Sequence, residues 1–263
     1  MGNEGEEQPG RRMSRESVQR PRPEAHARPA YYAAGRGAGS WRDWLSLLHP
    51  PYTAWHLSYV AIGAGLAHPI RYDRLGWALL GFFLGLGIGA HALDELHGHP
   101  LRTGIANGRL LIAAIVSVAG AAAIGWYVGG WRLVPFIAVG AVLAFGYNLE
   151  WFGGILHNGA GFAFAWGSFP LLTGYFVQHW SISVAALVAA AGAFALTLAQ
   201  RALSTPARWL RRDVESMSVS AHTASGESTE LAASDLLRPL ETALKAISWG
   251  LVALATALVV AGR

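Results

Sequence analysis

Two adjacent acids, Asp94 and Glu95, are the residues best placed by type and spacing to do chemistry. They stand in the stretch Gly89-Ala-His-Ala-Leu-Asp-Glu-Leu-His-Gly-His-Pro-Leu-Arg-Thr-Gly104, beside three histidines and Arg102. In a helix running to about Leu96, His91 and Glu95 lie four residues apart on one face, with Asp94 three residues from His91 beside them. Pro100 disfavours helix at His99, so His99 and Arg102 are expected to enter the same space from a loop. The stretch reads as a cup for a metal or a phosphate, its metal candidates being His91, Asp94 and Glu95. His97 and His99 read as ordinary interfacial loop residues, and neither HExxH nor a comparable zinc spacing occurs. The plain alternative is that Asp94 and Glu95 are the polar end of a helix meeting water, paired with Arg102 or Arg109.

A second polar cluster, Arg201, Arg208, Arg211 and Arg212, follows a later apolar run. Two simple readings are a topology signal and a contact with anionic lipid headgroups. The sharper one is that one or two of these arginines clamp a diphosphate, since guanidinium binds phosphate oxygens in a fork and stays charged.

The elements that position these clusters are membrane spans. The chain is 53% hydrophobic and 14% charged, with a positive mean hydropathy, and its apolar residues are clustered into windows. Several windows approach the roughly 20 residues that cross a bilayer, so the fold class is an all-α polytopic membrane bundle. There is no cysteine, which excludes disulfides, thiolate metal sites and cysteine nucleophiles. No Walker pattern occurs, and nucleic acid is not an expected partner.

Residues 1–44 are rich in Arg, Glu, Pro and Gly and are expected to form a disordered basic tail. No apolar h-region of a signal peptide is found there, and Glu6 breaks the resemblance of the start to a myristoylation signal. Trp41, Trp44 and Leu45 to Leu48 predict a short interfacial helix. About seven spans follow within the 45–263 domain: Tyr52 to His68, Leu75 to Glu95, Leu110 to Val128, Leu133 to Tyr147, Ala160 to Val177, Ile182 to Leu203 and Leu240 to Ala261. Gly81 and Gly85 have GxxxG spacing for close helix contact, and Pro170 is expected to kink the fifth span. Residues from about 213 to 235 have no apolar periodicity and read as a flexible loop. His56 and Tyr147 are candidates to line the cavity, with a core role the plainer reading of each.

Arginine placement predicts orientation. Eight arginines lie in the N-terminal tail, and placing that tail inside also puts Arg102, Arg109, Arg201, Arg208, Arg211, Arg212 and Arg238 inside. The expected location is a bacterial cytoplasmic membrane with the N-terminus cytoplasmic, and both polar clusters share the cytoplasmic face.

In that order of elements the chain resembles the UbiA family of intramembrane prenyltransferases. The resemblance covers roughly residues 45 to 260. It rests on the acids ending span two, on Pro100-Leu-Arg-Thr-Gly104, on Tyr147 after span four, on Gly167-Ser-Phe-Pro-Leu-Leu-Thr-Gly-Tyr175 in span five, and on the polar end of span six. It implies an isoprenoid diphosphate substrate held through Mg²⁺ on aspartate-rich motifs, with Asp94 and Glu95 as catalytic and metal-binding residues and His91 standing where the family has Asn. Glu150 occupies a loop where relatives carry a base, and in the prenyltransferase reading Arg102, Arg208 and Arg211 stabilise the leaving diphosphate in place of a second metal. This sequence departs from the pattern where Gln200, Ser204 and Arg208 replace the second set of aspartates and where the last two of the family's nine helices are missing. The expected function is prenyl transfer from a polyprenyl diphosphate to an unidentified acceptor. The alternative is a non-catalytic protein of the same fold that binds an isoprenoid or phospholipid, or scaffolds a protein partner.

Overall fold

The computed structural model describes residues 41–222 and 224–262. The tail expected over residues 1–44 therefore lies almost wholly outside the described residues, with all of its arginines except Arg42. The described chain is helical apart from one hairpin. Helix α1 (Trp41–Leu47) precedes α2 (Pro50–Gly65), whose first two residues are prolines suited to a helix start. The next helix is continuous over 27 residues: α3 (Tyr72–Phe82), a π-helical segment (Phe83–Ala90) and α4 (His91–Gly98).

Helices α5 (Asn107–Gly129) and α6 (Val134–Asn148) are separated by a single 3₁₀ turn. Gly130 there has φ +53, a conformation open to glycine, and the chain folds back so that Gly125 meets Ile137. After the short α7 (Trp151–Gly154), α8 (Gly159–Ala163) starts at Asn158, whose side chain accepts from the Gly161 N–H at 2.8 Å. A second π segment (Phe164–Ser168) joins α8 to α9 (Phe169–His179). It ends two residues before Pro170, so the widened turn takes up the backbone disturbance that the proline introduces.

Helix α10 (Val184–Arg212) is capped by Ser183, which accepts from the Ala186 N–H at 3.1 Å. It does not end near Leu203 as the sequence predicts but continues through Pro206 to Arg212. The predicted flexible loop is also corrected: strands β1 (Ser218–His222) and β2 (Ser228–Ala232) pair antiparallel, Ser218 opposite Ala232. These strands are short and mostly exposed, so no buried face imposed an apolar alternation that periodicity could detect. Helix α11 (Ala233–Ala261) closes the chain, starting seven residues before the predicted Leu240.

Five helical stretches are long and apolar enough to cross a membrane: Tyr72–Gly98, Asn107–Asn148, Gly159–His179, Val184–Arg212 and Ala233–Ala261. The chain is a polytopic α-helical membrane protein. Helix α2 is the centre of the bundle, packed on α9 and α11. Its crossing with α9 is glycine-dependent, because a Cβ on Gly63 would strike the Leu171 carbonyl and one on Gly174 the Val60 carbonyl. Glycines of the first π segment play the same part toward α5, where Gly85 faces Ala121 and Gly89 faces Val118.

Candidate functional site

One end of the bundle holds a polar cavity of about 250 Å³. Helix α2 contributes Tyr52 and His56, with His49 just before it. Helix α4 contributes His91 and Asp94, the end of α6 contributes Tyr147 and Asn148, the loop before α8 contributes His157, and α10 contributes Gln200, Arg201, Ser204, Arg208 and Arg212. Four of the α10 residues recur every fourth position, so one face of that helix supplies them all. Along that face exposure rises from buried Gln200 and Ser204 to exposed Arg208.

Of the residues expected to bind metal or diphosphate, His91, Asp94 and Arg208 meet in this cavity, joined by Arg201 and Arg212 of the second polar cluster. Glu95 does not. It is 0% exposed, and both of its oxygens are occupied: Oε2 accepts from the Leu101 N–H at 2.9 Å, and Oε1 accepts from the Thr103 N–H at 2.7 Å and the Thr103 hydroxyl at 2.9 Å. Glu95 thereby pins the loop after α4, and Asp43 helps by accepting from the Gly104 N–H at 3.2 Å. His99 does come from a loop, but its ring nitrogen lies 3.9 Å from Glu95 rather than at the cavity wall.

Arg102 is exposed at φ +51 and is not among the cavity-lining residues. Arg211 points to α11, where it forms an ion pair with Glu241. Glu150, also exposed, sits 3.8 Å from the His157 ring. The expected set of His91, Asp94 and Glu95 is thus divided, because adjacent residues on a helix point about 100° apart.

His56 and Tyr147 are buried, Tyr147 within an apolar cluster, and both also line the cavity. The Tyr147 hydroxyl accepts from Arg201 Nη1 at 2.9 Å, and the Arg201 guanidinium lies over the Phe162 ring. His56, His91 and His157 each place Nδ1 against a backbone carbonyl, of Trp166 at 2.8 Å, Gly87 at 3.0 Å and Tyr147 at 3.0 Å. A carbonyl only accepts, so Nδ1 carries the hydrogen and Nε2 is the acceptor of each neutral ring. His49, outside the spans, is held well below the ordinary histidine pKa by burial, reinforced by His91, Arg212 and Arg208. It is neutral at pH 7.

The donor set does not fit a resident magnesium ion. Mg²⁺ takes hard oxygens in octahedral array, whereas Asp94 is the one carboxylate lining the cavity among the described residues. Nor do these residues contain a group of three or more His, Cys, Asp or Glu side chains able to hold a metal. The arrangement is suited to an anion: Arg201, Arg208 and Arg212 face a space in which Arg208 closes no hydrogen bond or ion pair with a described residue.

A second, apolar cavity of about 140 Å³ lies between the helices, lined by Gly81, Phe82, Gly85, Phe136, Gly140 and Phe169 among others. Leu86 and Trp166 belong to the walls of both cavities. No family model, no curated protein and no solved structure matches this chain.

Proposed function

We propose that this chain is a UbiA-like bundle of about seven spans that binds an isoprenoid carrying a phosphorylated head. The count adds α2 to the five long stretches and divides Asn107–Asn148 at Gly130. The observation that carries the reading is that a cation-lined cavity and an apolar one lie back to back, sharing Leu86 and Trp166 as walls. An amphiphile with an anionic head and a hydrocarbon chain matches both: guanidinium groups hold phosphate oxygens, and the chain leaves water for the apolar walls. With the arginine-rich tail inside, the head enters from the cytoplasmic face.

Transfer of the prenyl group is the second reading, favoured by Asp94 standing in the same cavity as the arginines. Arg208 and its neighbours would stabilise the charge that develops on a departing diphosphate. Asp94 would accept the proton that an acceptor loses.

Titration of the detergent-solubilised full chain separates these possibilities. Farnesyl diphosphate is expected to bind tighter than inorganic pyrophosphate, and Leu86→Trp, which enlarges the wall shared by the two cavities, is expected to remove that advantage. Equal affinity of the two ligands in the unmodified protein would refute the amphiphile reading. For transfer, pyrophosphate must be released on adding candidate acceptors and Mg²⁺, and Asp94→Asn must abolish the release. Binding without release leaves the non-catalytic form of the proposal.

A further inference from the structure

The polar cavity holds acceptor groups that a bare phosphate cannot use. Phosphate oxygens at neutral pH take hydrogen bonds and charge from Arg201, Arg208 and Arg212, yet the same walls present the Asp94 carboxylate and the Gln200 amide oxygen. His56, His91 and His157 add three more acceptors, since each has its Nδ1–H committed to a carbonyl. These groups call for donors on the ligand.

Gln200 makes the point sharply. It is 2% exposed on the cavity face of α10, and neither its Nε2 nor its Oε1 has a hydrogen-bond partner among the described residues. The Tyr52 hydroxyl lies beside Gln200 and Ser204 but closes no hydrogen bond of full geometry with the amide. A buried amide left unpaired on both atoms costs free energy and calls for an explanation. A hydroxyl supplies it, because one O–H donates to Oε1 while a neighbouring oxygen accepts from Nε2.

We infer that the phosphorylated head bears hydroxyl groups, so that the ligand is a sugar or polyol phosphate whose phosphate meets the arginines and whose hydroxyls meet Gln200 and Asp94. This deepens the phosphate-headed isoprenoid reading and rests on it.

The test compares three probes on the full chain in detergent: farnesyl phosphate, its phosphodiester with mannose, and mannose 1-phosphate. The mannosyl lipid is expected to bind about tenfold tighter than farnesyl phosphate, the scale of one satisfied buried polar group. Gln200→Leu is expected to bring that ratio close to one. Arg208→Gln is expected to weaken both lipids and preserve the ratio. Equal affinity of the two lipids in the unmodified protein, or a ratio that Gln200→Leu does not change, overturns the inference and leaves the isoprenoid reading standing. Failure of farnesyl phosphate and of the mannosyl lipid to bind overturns both. Mannose 1-phosphate binding as tightly as the mannosyl lipid supports the hydroxylated head and identifies its source as a soluble sugar phosphate.

Discussion

The two ends of the bundle treat their polar residues in opposite ways. Far from the cavity, Arg74 donates to the carbonyls of Val177 at 3.1 Å and Gln178 at 2.9 Å, and its guanidinium lies over the Trp180 ring. Arg132 lies over Trp131 and Trp180, and the Arg71 N–H donates to Gln178 Oε1 at 2.7 Å. Among the buried side-chain atoms of this group, the Gln178 amide nitrogen lacks a partner among the described residues. At the cavity end, Arg208 and Asp94 share a space without forming an ion pair, and Gln200 is unpaired on both atoms. A cation satisfied by carbonyls and a ring holds structure together. Cations and amides left unsatisfied around a void are available to a ligand.

The largest expected effect would break the frame joining the two ends. Gly174→Val drives a side chain into the Val60 carbonyl where α2 and α9 cross, and overpacking against backbone is expected to remove most folded protein, measured as monodisperse yield from membranes. Next is Glu95→Gln. The substituted amide must aim its NH₂ at an N–H or hydroxyl donor, so a loss of about 2–3 kcal/mol is expected, read as a lower unfolding temperature in detergent. Asp94→Asn, one residue away, is expected to leave that temperature nearly unchanged. Should the two variants be equally destabilised, the division between a structural and a site carboxylate is lost.

A third, smaller effect concerns the arginines. Arg74→Gln removes two hydrogen bonds and a ring contact and is expected to cost about 1–2 kcal/mol. Arg208→Gln is expected to change stability by less than about 0.5 kcal/mol. The smallest concerns pH. Because the folded-state pKa of His49 is depressed, the unfolded chain takes up that proton first. The contribution of His49 is fully present above the ordinary histidine pKa of about 6.5 and is lost as pH falls below it. His49→Gln is expected to flatten the acid limb of a stability profile between about pH 6.5 and 5, and an unchanged limb would assign that dependence to other groups.

Much of the fold was legible because lipid demands long apolar helices. The short helix at Trp41–Leu47 and the glycine contacts to α5 follow from residue type alone. The end of α10 was not legible, because the apolar run stops near Leu203 while the helix continues past Pro206 to Arg212. The site was legible in its residue types but not in their directions. Asp94 and Glu95 are neighbours on a helix, so a single point receives one of them, and the π segment Phe83–Ala90 shifts the helical phase just before His91. Which acid faces the cavity therefore cannot be read by counting in steps of three or four. The spacing of Gln200, Ser204, Arg208 and Arg212 was a usable signal for one lined face. The carbonyls that orient His56, His91 and His157 come from the bundle's packing, and no local pattern announces them.

Arg208, which closes no hydrogen bond or ion pair with a described residue, is the point at which the open end of the bundle is tested most directly. Farnesyl diphosphate titrated into the unmodified protein and into Arg208→Gln, each shown to unfold at the same temperature, gives one number, the ratio of dissociation constants. A loss of affinity of about tenfold or more in the variant is predicted, in keeping with one charge-assisted phosphate contact. Equal affinities in two equally stable proteins would contradict the claim that this end of the bundle is kept open for a phosphorylated head.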